Sequence, residues 1–469
     1  MGKISSPCFV LDCTESLKFH SIDNYPPHWR RKLVDFSSAI ISEKGRFLRV
    51  ISKDSHAINQ AAISRAALTV VHRLREAGFD AYLVGGAVRD LLINGRPKDF
   101  DIATNATPEQ TKALFRSARI IGRRFQIVHV RQGREIIEVT TYRGHHTSDD
   151  AKPSTSKQSD KGLLLRDNVY GSLEDDAKRR DLTVNAMYYD PDNETILDQQ
   201  SGREDIEARL IRIIGNPITR YQEDPVRMLR VVRFSARLQF DIESNTANAI
   251  ATCAPLLKEI PSARLFDEFL KLFMSGHAHS TFLLLCDYHL LTYLISEAAE
   301  CVAADAPSKT LVKAAMSNTD ARVRQNRPVT PAFLLAAMLW PAVQHRSDAL
   351  QQAGEAPNQA INSAGQQVSA ETCLRLAIPK RFSIPMREIW EMQPKLEARK
   401  SKRLLDIMSQ RRFRAAYDLL LLREQAGATL DHCGDFWTEQ QRLHPDVVGS
   451  APDKEQYKSP RRPRQRKRQ

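Results

Sequence analysis

Apolar residues follow two different spacings along this chain. From residue 64 to residue 77 they recur at helical spacing and stop at Gly78. Short apolar runs typical of strands follow between residues 82 and 143, and the turn Gln132-Gly133 separates the last two of these runs as in a hairpin. This region is therefore predicted to form a small mixed sheet with helices on one side. The predicted strands are residues 82–84, 99–101, 127–131 and 135–143.

The rest of the chain has a helical pattern that runs from residue 242 to residue 425. Polar residues 346–366 interrupt it and are predicted as loop or frayed helix. The apolar residues between 333 and 340 are predicted to belong to the core. Together with the sheet, this pattern predicts the α+β fold class. The predicted helices are residues 262–274, 279–292, 307–317, 330–343, 367–377, 386–394, 400–407 and 411–424.

Two glycines and two acids lie close together at the start of the predicted sheet. Gly85 and Gly86 follow the first strand and precede a short predicted helix, so backbone N–H groups there can approach a bulky anion. Asp99 and Asp101 flank one apolar residue, and side chains alternate along a strand, so both carboxylates face the same way. Mg²⁺ takes one or two carboxylates plus substrate phosphates and water. The closeness of the glycine pair and the acidic pair predicts a magnesium–triphosphate site. Alone, the glycine pair would also fit a tight turn, and the acidic pair would also fit a solvated strand edge.

A second group of polar residues lies between residues 173 and 189, which are predicted as one helix. Arg180, Asp181 and Asn185 fall at spacings that share a helical face. A guanidinium suits triphosphate oxygens, an amide can hydrogen-bond a ribose hydroxyl, and the carboxylate can fix the arginine or touch the sugar. A surface helix with ion pairs is the alternative.

A third group begins the long helix that is predicted to run through Leu238. Asp224 is its predicted N-cap, with Pro225 at the first helical position, and Arg227 and Arg230 lie three apart on one face. A carboxylate accepts from an amino group and a guanidinium donates to a ring nitrogen or carbonyl, so such a pair has the chemistry to hydrogen-bond a base edge. From the residues alone, a cap with a surface ion pair is the favoured interpretation.

Two further features keep two interpretations each, and two others are predicted as loops. Glu138 is either a third carboxylate of the site or an exposed edge residue. Residues 411–414 mix cations with an aromatic residue, and either contact an RNA backbone or form a solvated helix face. His145 and His146 are predicted to lie in a loop, because no partner ligands sit at zinc spacing. Residues 147–162 are polar and are predicted to form a mobile loop.

Charge and cysteine usage narrow the class of protein. The net charge is +13, with a pI near 9.4, which favours a polyanionic partner. Seven cations and no acid lie between residues 458 and 468, so the tail is predicted to be disordered and to bind RNA. The seven cysteines are scattered without CxxC pairs, which predicts reduced thiols and a cytoplasmic protein. No apolar run is long enough for a membrane span, and no signal peptide is evident.

The motifs together resemble the class II nucleotidyltransferases of the polymerase-β superfamily, which include bacterial poly(A) polymerases and CCA-adding enzymes. The resemblance rests on residues 83–90 with Asp99-Phe100-Asp101, on Arg179-Arg180-Asp181 with Asn185, and on Glu223-Asp224 with Arg227. It implies a polymerase-β-like head followed by an all-helical neck, body and leg. The implied divisions are an N-terminal extension at 1–55, the head at 56–200, the neck at 201–275, the body and leg at 276–445 and the basic tail at 446–469.

The resemblance also implies an activity and a set of roles. The expected reaction is template-independent transfer of AMP from ATP to RNA 3′ ends, with Mg²⁺ as cofactor; the sequence does not distinguish Mg²⁺ from Mn²⁺. Expected partners are mRNA, small RNAs and tRNA, and the RNA-degradation machinery; a monomer and no membrane contact are expected. The expected catalytic residues are Asp99, Asp101 and Asp181, of which Asp99 and Asp101 hold the metal. The expected nucleotide contacts are Gly85, Gly86, Arg89, Arg180, Asn185, Asp224, Arg227 and Arg230.

Three features favour poly(A) addition over CCA addition to tRNA. The stretches 121–125 through 143–146 and 164–172 look closer to the poly(A) polymerase version, both ends carry long extensions, and the tail is rich in arginine. CCA addition remains the enzymatic alternative, and an RNA-binding protein without activity is the alternative from another class. Retention of both Asp99 and Asp101 argues against the inactive form.

Overall fold

The computed structural model describes residues 47–122, 126–144 and 169–450, together with three short strands at 39–41, 156–158 and 164–167. It shows a mixed sheet with helices, followed by a region built of helices, which confirms the predicted α+β class. The predictions for residues 1–38, for His145 and His146 and for the tail after residue 450 lie outside the described residues.

The described residues form a nine-stranded sheet at the N-terminal end of the chain. Its order is β1-β2-β11-β10-β3-β4-β7-β6-β5. The strand Phe47–Ile51 belongs to it, so the sheet begins inside the predicted N-terminal extension. The strands of the chain are β1 Ala39–Ile41, β2 Phe47–Ile51, β3 Ala81–Val84, β4 Asp101–Thr104, β5 Ala118–Ile121, β6 Ile127–Gln132, β7 Glu135–Thr141, β8 Ser156–Gln158, β9 Leu164–Asp167, β10 Met187–Asp190, β11 Thr195–Asp198, β12 Leu210–Ile211 and β13 Asp241–Ile242.

The register of the central strands determines which side chains become neighbours. Strands β6 and β7 form the predicted antiparallel hairpin, and Gly133 in its turn has φ +60°. Strand β4 pairs with β3 antiparallel and with β7 in parallel, so Asp101 lies opposite Val84 on one side and Glu138 on the other. Paired residues in a ladder project to the same face of the sheet. Asp101 and Glu138 therefore share one face.

The first helices of the head start where the sequence predicts. The hydroxyl of Ser64 caps the helix Arg65–Glu76. Thr107 and Gln110 form a capping box at the start of the helix Pro108–Leu114, in which Pro108 is the first residue. The head helices are α1 Arg65–Glu76, α2 Gly86–Leu92, α3 Pro108–Leu114, α4 Leu173–Arg179 and α5 Gly202–Glu207.

The predicted single helix at 173–189 is wrong. Helix α4 ends at Arg179, Arg180 is extended with ψ 164°, and one turn of 3₁₀ helix at Thr183–Asn185 leads into strand β10. The aromatic residues Tyr188 and Tyr189 favour a strand, and they pair with β3 and β11. The predicted loop at 147–162 also contains a strand, β8, which pairs with β9.

Helices account for most of the chain after β12. Residues 346–366, predicted as loop or frayed helix, are helical apart from residues 353–356, because the Ala and Gln residues are good helix formers and Ala360, Ile361 and Ala364 are buried. The helices are α6 Pro217–Glu223, α7 Val226–Leu238, α8 Ser244–Cys253, α9 Ser262–Phe273, α10 Ala278–Asp287, α11 Ser296–Ala304, α12 Ala306–Arg324, α13 Pro331–Gln352, α14 Pro357–Leu376, α15 Lys380–Ala398, α16 Leu404–Ser409, α17 Phe413–Gln425 and α18 Cys433–Leu443.

One continuous set of buried apolar side chains runs from the sheet into the helical region. The band from Leu334 to Trp340 is fully buried in α13, which confirms that it belongs to the core. Within the part of the chain that the structure describes, no helix is long and apolar enough to cross a membrane.

Candidate active site

The glycine turn, the acidic strand and the arginine of the second motif converge at one point. Gly85 ends strand β3 with φ +77°, a backbone conformation that L side chains rarely adopt. A Cβ at Gly85 would lie 3.7 Å from Arg180 Nη1, 3.8 Å from Asp101 Oδ2 and 4.0 Å from the carbonyl oxygen of Asn185. Residues that are up to one hundred positions apart in the sequence therefore surround a turn without side chains.

Asp101 carries the acidic charge closest to this turn. It is the first residue of β4 and is partly buried, whereas Asp99 is exposed and Phe100 between them is buried. The pKa of Asp101 is raised to about 6, chiefly by burial and also by the carboxylates of Glu138 and Asp99, while Arg180 opposes them. This corner of the sheet accumulates negative charge that a cation would relieve.

Glu138 is the third carboxylate at this corner. It lies beside Asp101 in the parallel ladder, and its Oε1 is 3.2 Å from His129 Nε2 on the neighbouring strand. Its side chain is 46% exposed, so it is neither a fully solvated edge residue nor a buried one. The structure places Glu138 next to the predicted metal ligands, and its part in catalysis stays a hypothesis.

Arg180 is held in place by two groups that the motif analysis did not identify. Its Nε donates to Asp176 Oδ2 at 3.1 Å and to Tyr188 Oη at 3.0 Å, and Tyr188 in turn donates to Asp176 at 2.6 Å. Burial disfavours the charged guanidinium, but Tyr188 and Asp176 outweigh it and raise the pKa of Arg180. The i,i+4 spacing of Asp176 and Arg180 was the available sequence signal.

Asp181 links the head to helix α7. Its Oδ2 accepts from Arg230 Nε at 2.6 Å, and its Oδ1 accepts from the Leu182 backbone N–H at 2.9 Å and from Asn185 Nδ2 at 3.5 Å. Burial would raise the pKa of Asp181, but the Arg230 guanidinium outweighs burial and holds it well below its usual range. Asp181 and Asn185 of the second group are thus brought together with Arg230 of the third.

Arg89 faces inward from helix α2. It is 1% exposed, donates to Asp90 Oδ1 at 2.9 and 2.6 Å and to Asn185 Oδ1, and lies 5.1 Å from the Phe234 ring centroid. Burial lowers its pKa, and the carboxylate of Asp90 opposes this effect. These contacts orient Asn185 from the side opposite Asp181.

Asp224 and Arg227 flank the joint between helices α6 and α7. Asp224 Oδ2 accepts from Arg264 Nη2 at 2.6 Å, and Arg227 Nη1 donates to Glu223 Oε2 at 2.7 Å. The predicted N-cap at Asp224 is wrong by one position: the helix begins at Val226 with Pro225 as its N-cap residue, and the Asp224 carboxylate accepts from the Val226 backbone N–H at 3.3 Å. Each member of the predicted base-reading pair is thus oriented by a different charged partner.

A cluster of arginines next to the joint between α6 and α7 was not predicted from the sequence. Arg220 Nη2 donates to the carbonyl oxygens of Arg179 and Arg180 at 2.6 and 2.7 Å, and its Nη1 donates to Glu223. Burial, followed by neighbouring cations, lowers the pKa of Arg179 and of Arg220 to about 10. Arg220 fixes the backbone that carries Arg180, and no familiar motif spacing marks it.

The fit of a divalent cation can be judged from the donor set. In the described ranges, no group of three or more His, Cys, Asp or Glu side chains is arranged to hold a metal ion. A nucleotide-dependent Mg²⁺ needs only one or two carboxylates, because phosphates and water complete its shell. Asp99 and Asp101 are two such carboxylates at the start of β4, but the strand begins at Asp101, so Asp99 precedes the strand on which it was predicted to lie.

Comparison with known proteins agrees with the geometry. Residues 81–212 match the family model of the poly A polymerase head domain, and residues 353–469 match the model of the polymerase A arginine-rich C-terminus. Residues 239–301 match a model described as "Probable RNA and SrmB- binding site of polymerase A". The fold and these matches define the chain as a nucleotidyltransferase.

Individual relatives show which family of nucleotidyltransferases the chain belongs to. Poly(A) polymerase I of Escherichia coli O6:H1 is 45% identical over 419 residues, covering 88% of this chain and 90% of that protein. The CCA-adding enzyme of Streptococcus gordonii is 40% identical over 210 residues, covering 45% and 50%. The crystal structure of Bacillus stearothermophilus CCA-adding enzyme in complex with CTP is similar with a TM-score of 0.53 at 26% identity, covering 82% of this chain and 83% of that chain. This chain belongs to the poly(A) polymerase family.

Proposed function

We propose that the chain adds AMP from ATP to the 3′-hydroxyl of RNA without a template and releases pyrophosphate. The observation that carries this proposal is the convergence of Asp101, Arg180 and Asn185 on the turn at Gly85. The near full-length likeness to poly(A) polymerase I of Escherichia coli supports polyadenylation, whereas the CCA-adding relative matches only about half of the chain.

Asp99 and Asp101 would hold the catalytic Mg²⁺, and ATP is the substrate. When bound, such an ion supplies charge neutralisation for the phosphates and a lower pKa for the attacking hydroxyl. The chain itself orients the reactants. The glycine turn gives the triphosphate access to the backbone, and Arg180, already positioned by Asp176 and Tyr188, donates its free edge to phosphate oxygens.

Asn185 is the proposed ribose contact of the second motif. Arg89 and Asp181 bind its two amide atoms, the oxygen and the nitrogen respectively, so both act by positioning it. Arg230 acts one step further away, since it neutralises Asp181. We assign the direct contacts to Arg180 and Asn185.

Adenine selection is assigned to Asp224 and Arg227. Arg264 and Glu223 restrict the rotamers of these side chains, which reduces the entropy lost when a base binds. A carboxylate acceptor and a guanidinium donor in fixed positions can match the edge of one base and leave another unpaired.

We further propose that the physiological substrates are the 3′ ends of mRNA, small RNAs and tRNA, that the chain is a cytoplasmic monomer, and that it works with the RNA-degradation machinery. The net charge of +13 supports a polyanionic partner. The match of residues 239–301 to an RNA- and SrmB-binding model supports contact with RNA and with a second protein.

The test uses purified protein, an RNA with a free 3′ end and labelled ATP or CTP. Long tracts of A on generic RNA support the proposal. C followed by A on tRNA would instead support CCA addition, which the similarity to the CTP complex keeps as second candidate. RNA binding without incorporation would show an inactive scaffold. Asp99→Ala and Asp101→Ala serve as controls, because both should lose incorporation while remaining folded.

A further inference from the structure

The face of the sheet that carries Asp101 continues beyond the catalytic corner. Asp101 pairs with Glu138 on β7, and Glu138 pairs with His129 on β6. His129 in turn pairs with Arg119, which lies on the edge strand β5. Residues paired in a ladder project to the same face, and neighbouring strands lie about 4.8 Å apart. The row therefore extends about 14 Å from the catalytic acid to Arg119 at the edge of the sheet.

Helices cover the opposite face of these strands. The residues that alternate with the row, such as Val130 and Val139, are buried in the core that α1 and α3 share with the sheet. On the row's own face, Ile121 and Ile136 are 42% and 53% exposed. Side chains two positions apart on a strand share a face, so these isoleucines lie among the exposed arginines of the same strands. We call this surface the strand face: Arg119, Ile121, His129, Arg131 and Ile136.

The cations of the strand face have donors left for a ligand. Among the described residues, none accepts a hydrogen bond from the guanidinium of Arg119. The Nε of Arg131 donates to the carbonyl oxygen of Gly133 at 3.2 Å, which sets the plane of this guanidinium and leaves its other N–H groups. The Nε2 of His129 lies 3.2 Å from Glu138 Oε1, and so orients the carboxylate next to Asp101.

The direction of the reaction decides which reactant meets this face. In phosphoryl transfer the attacking and leaving oxygens lie roughly in line, on opposite sides of the phosphorus. The proposed triphosphate contacts, Gly85 and Arg180, meet at the end of β3, which flanks β4 on one side. The attacking hydroxyl must then approach from the other side of β4, where β7, β6 and β5 follow in order.

We propose that the strand face binds the last nucleotides of the RNA and presents their 3′-hydroxyl to Asp101. This inference rests on the proposed function, because it takes RNA as the acceptor. Arg119 and Arg131 bind phosphates a few nucleotides upstream of the 3′ end, and the exposed isoleucines contact sugars and bases. Single-stranded nucleic acid combines a charged backbone with bases that have apolar faces, and this face offers partners for both.

The test measures AMP addition to a hexanucleotide, which can reach Arg119, and to a dinucleotide, which is too short to do so. The variant is Arg119→Gln with Arg131→Gln; both residues are exposed. For single strands each lost phosphate contact lowers the salt slope by about 0.7, so two lost contacts raise the KM for the hexanucleotide about tenfold at physiological salt. The KM for ATP and the kcat/KM for the dinucleotide should not change, because neither substrate reaches the two arginines.

The matched control is Arg65→Gln with Arg73→Gln. Both arginines are exposed on helix α1, which packs against the opposite face of the sheet. We expect this control to keep the KM of the wild type for the hexanucleotide. Arg119→Lys with Arg131→Lys should restore most of the salt slope, because the charge is retained.

Three outcomes would overturn the inference: an unchanged KM for the hexanucleotide in the Gln variant, an equal rise in the control, or an equal loss on the dinucleotide. If the double variant unfolds at a lower denaturant concentration, the single variant Arg119→Gln decides: a salt slope lower by about 0.7 supports the inference, and an unchanged slope overturns it.

Failure of the proposed function gives a different result. A wild-type protein that adds no AMP to either RNA would refute the proposed activity. Fluorescence anisotropy of a labelled hexanucleotide would then still test the strand face: weaker binding by the Gln variant than by the control supports it, and equal binding overturns it.

Discussion

The pair between Asp181 and Arg230 gives the sharpest test of how the site is held together. In the variant Arg230→Gln, the Asp181 carboxylate loses contacts from Nε and Nη2, both 2.6 Å from Oδ2. Two charge-assisted hydrogen bonds contribute about 1.5–3 kcal/mol each, and breaking a fully buried pair costs about 3–5 kcal/mol. The Arg230 side chain is 33% exposed, so solvent screening reduces the expected loss in the free energy of unfolding to about 2 kcal/mol.

Denaturant unfolding at neutral pH measures this loss, and a double-mutant cycle with Asp181→Asn isolates the coupling between the two residues. The folded-state pKa of Asp181 is lowered, so the stabilisation is complete above about pH 4 and is lost as the pH falls through the folded pKa. The difference between wild type and Arg230→Gln should therefore shrink in acid. Since Asp181 also binds Asn185, the KM for ATP should rise in the same variant.

Arg442→Gln is the control, because its pair with Glu439 is exposed on the surface. If Arg230→Gln and this control unfold at the same denaturant concentration, or if the cycle shows no coupling, the carboxylate does not depend on Arg230. The proposed link between helix α7 and the second motif would then be refuted.

Three other variants test separate features. Asp101→Asn should reduce AMP incorporation about a thousandfold, the equivalent of several kcal/mol of lost charge stabilisation, while circular dichroism stays unchanged; normal incorporation would contradict the metal assignment. Gly85→Ala should raise the KM for ATP, because its Cβ would point towards Arg180 and Asp101, 3.7 and 3.8 Å away, and φ +77° adds strain of about 1–2 kcal/mol. Gly427→Ala is its control, with φ +98° and nothing within 4 Å, and should lose stability only. Removal of residues 458–469, with seven cations, should lower the salt slope of RNA binding by at most about five; an unchanged slope would exclude the tail from binding.

The hairpin and the catalytic turn could be predicted from the sequence because their local chemistry is unambiguous. The hairpin β6–β7 has a glycine turn between two β-branched runs, and Gly85 is the residue type that φ +77° requires. The helix starts at Ser64 and Thr107 were equally clear, since their hydroxyl groups cap the first turn.

The support of the site could not be predicted because it depends on long-range contacts. The helical spacing of Arg180, Asp181 and Asn185 suggested one helix, yet the chain after Arg179 is extended, and Asp181 and Asn185 reach each other through a 3₁₀ turn. Nothing in the local sequence indicates that Arg264, forty residues away, holds Asp224. Such partners follow from the packing of α9 and α7 rather than from a motif.

Helix α7 is joined to the head at points spread along its length. Arg230 binds Asp181, and about two helical turns further along the same face Arg237 Nη2 binds Asp90 at 2.9 Å. These residues are seven positions apart, about 10 Å along the axis. A chimera that took this helix from a distant relative without the two matching acids would set unpaired guanidinium groups against the head. The boundary for exchanging parts between family members therefore lies after Leu238, and not at the loop before the helix.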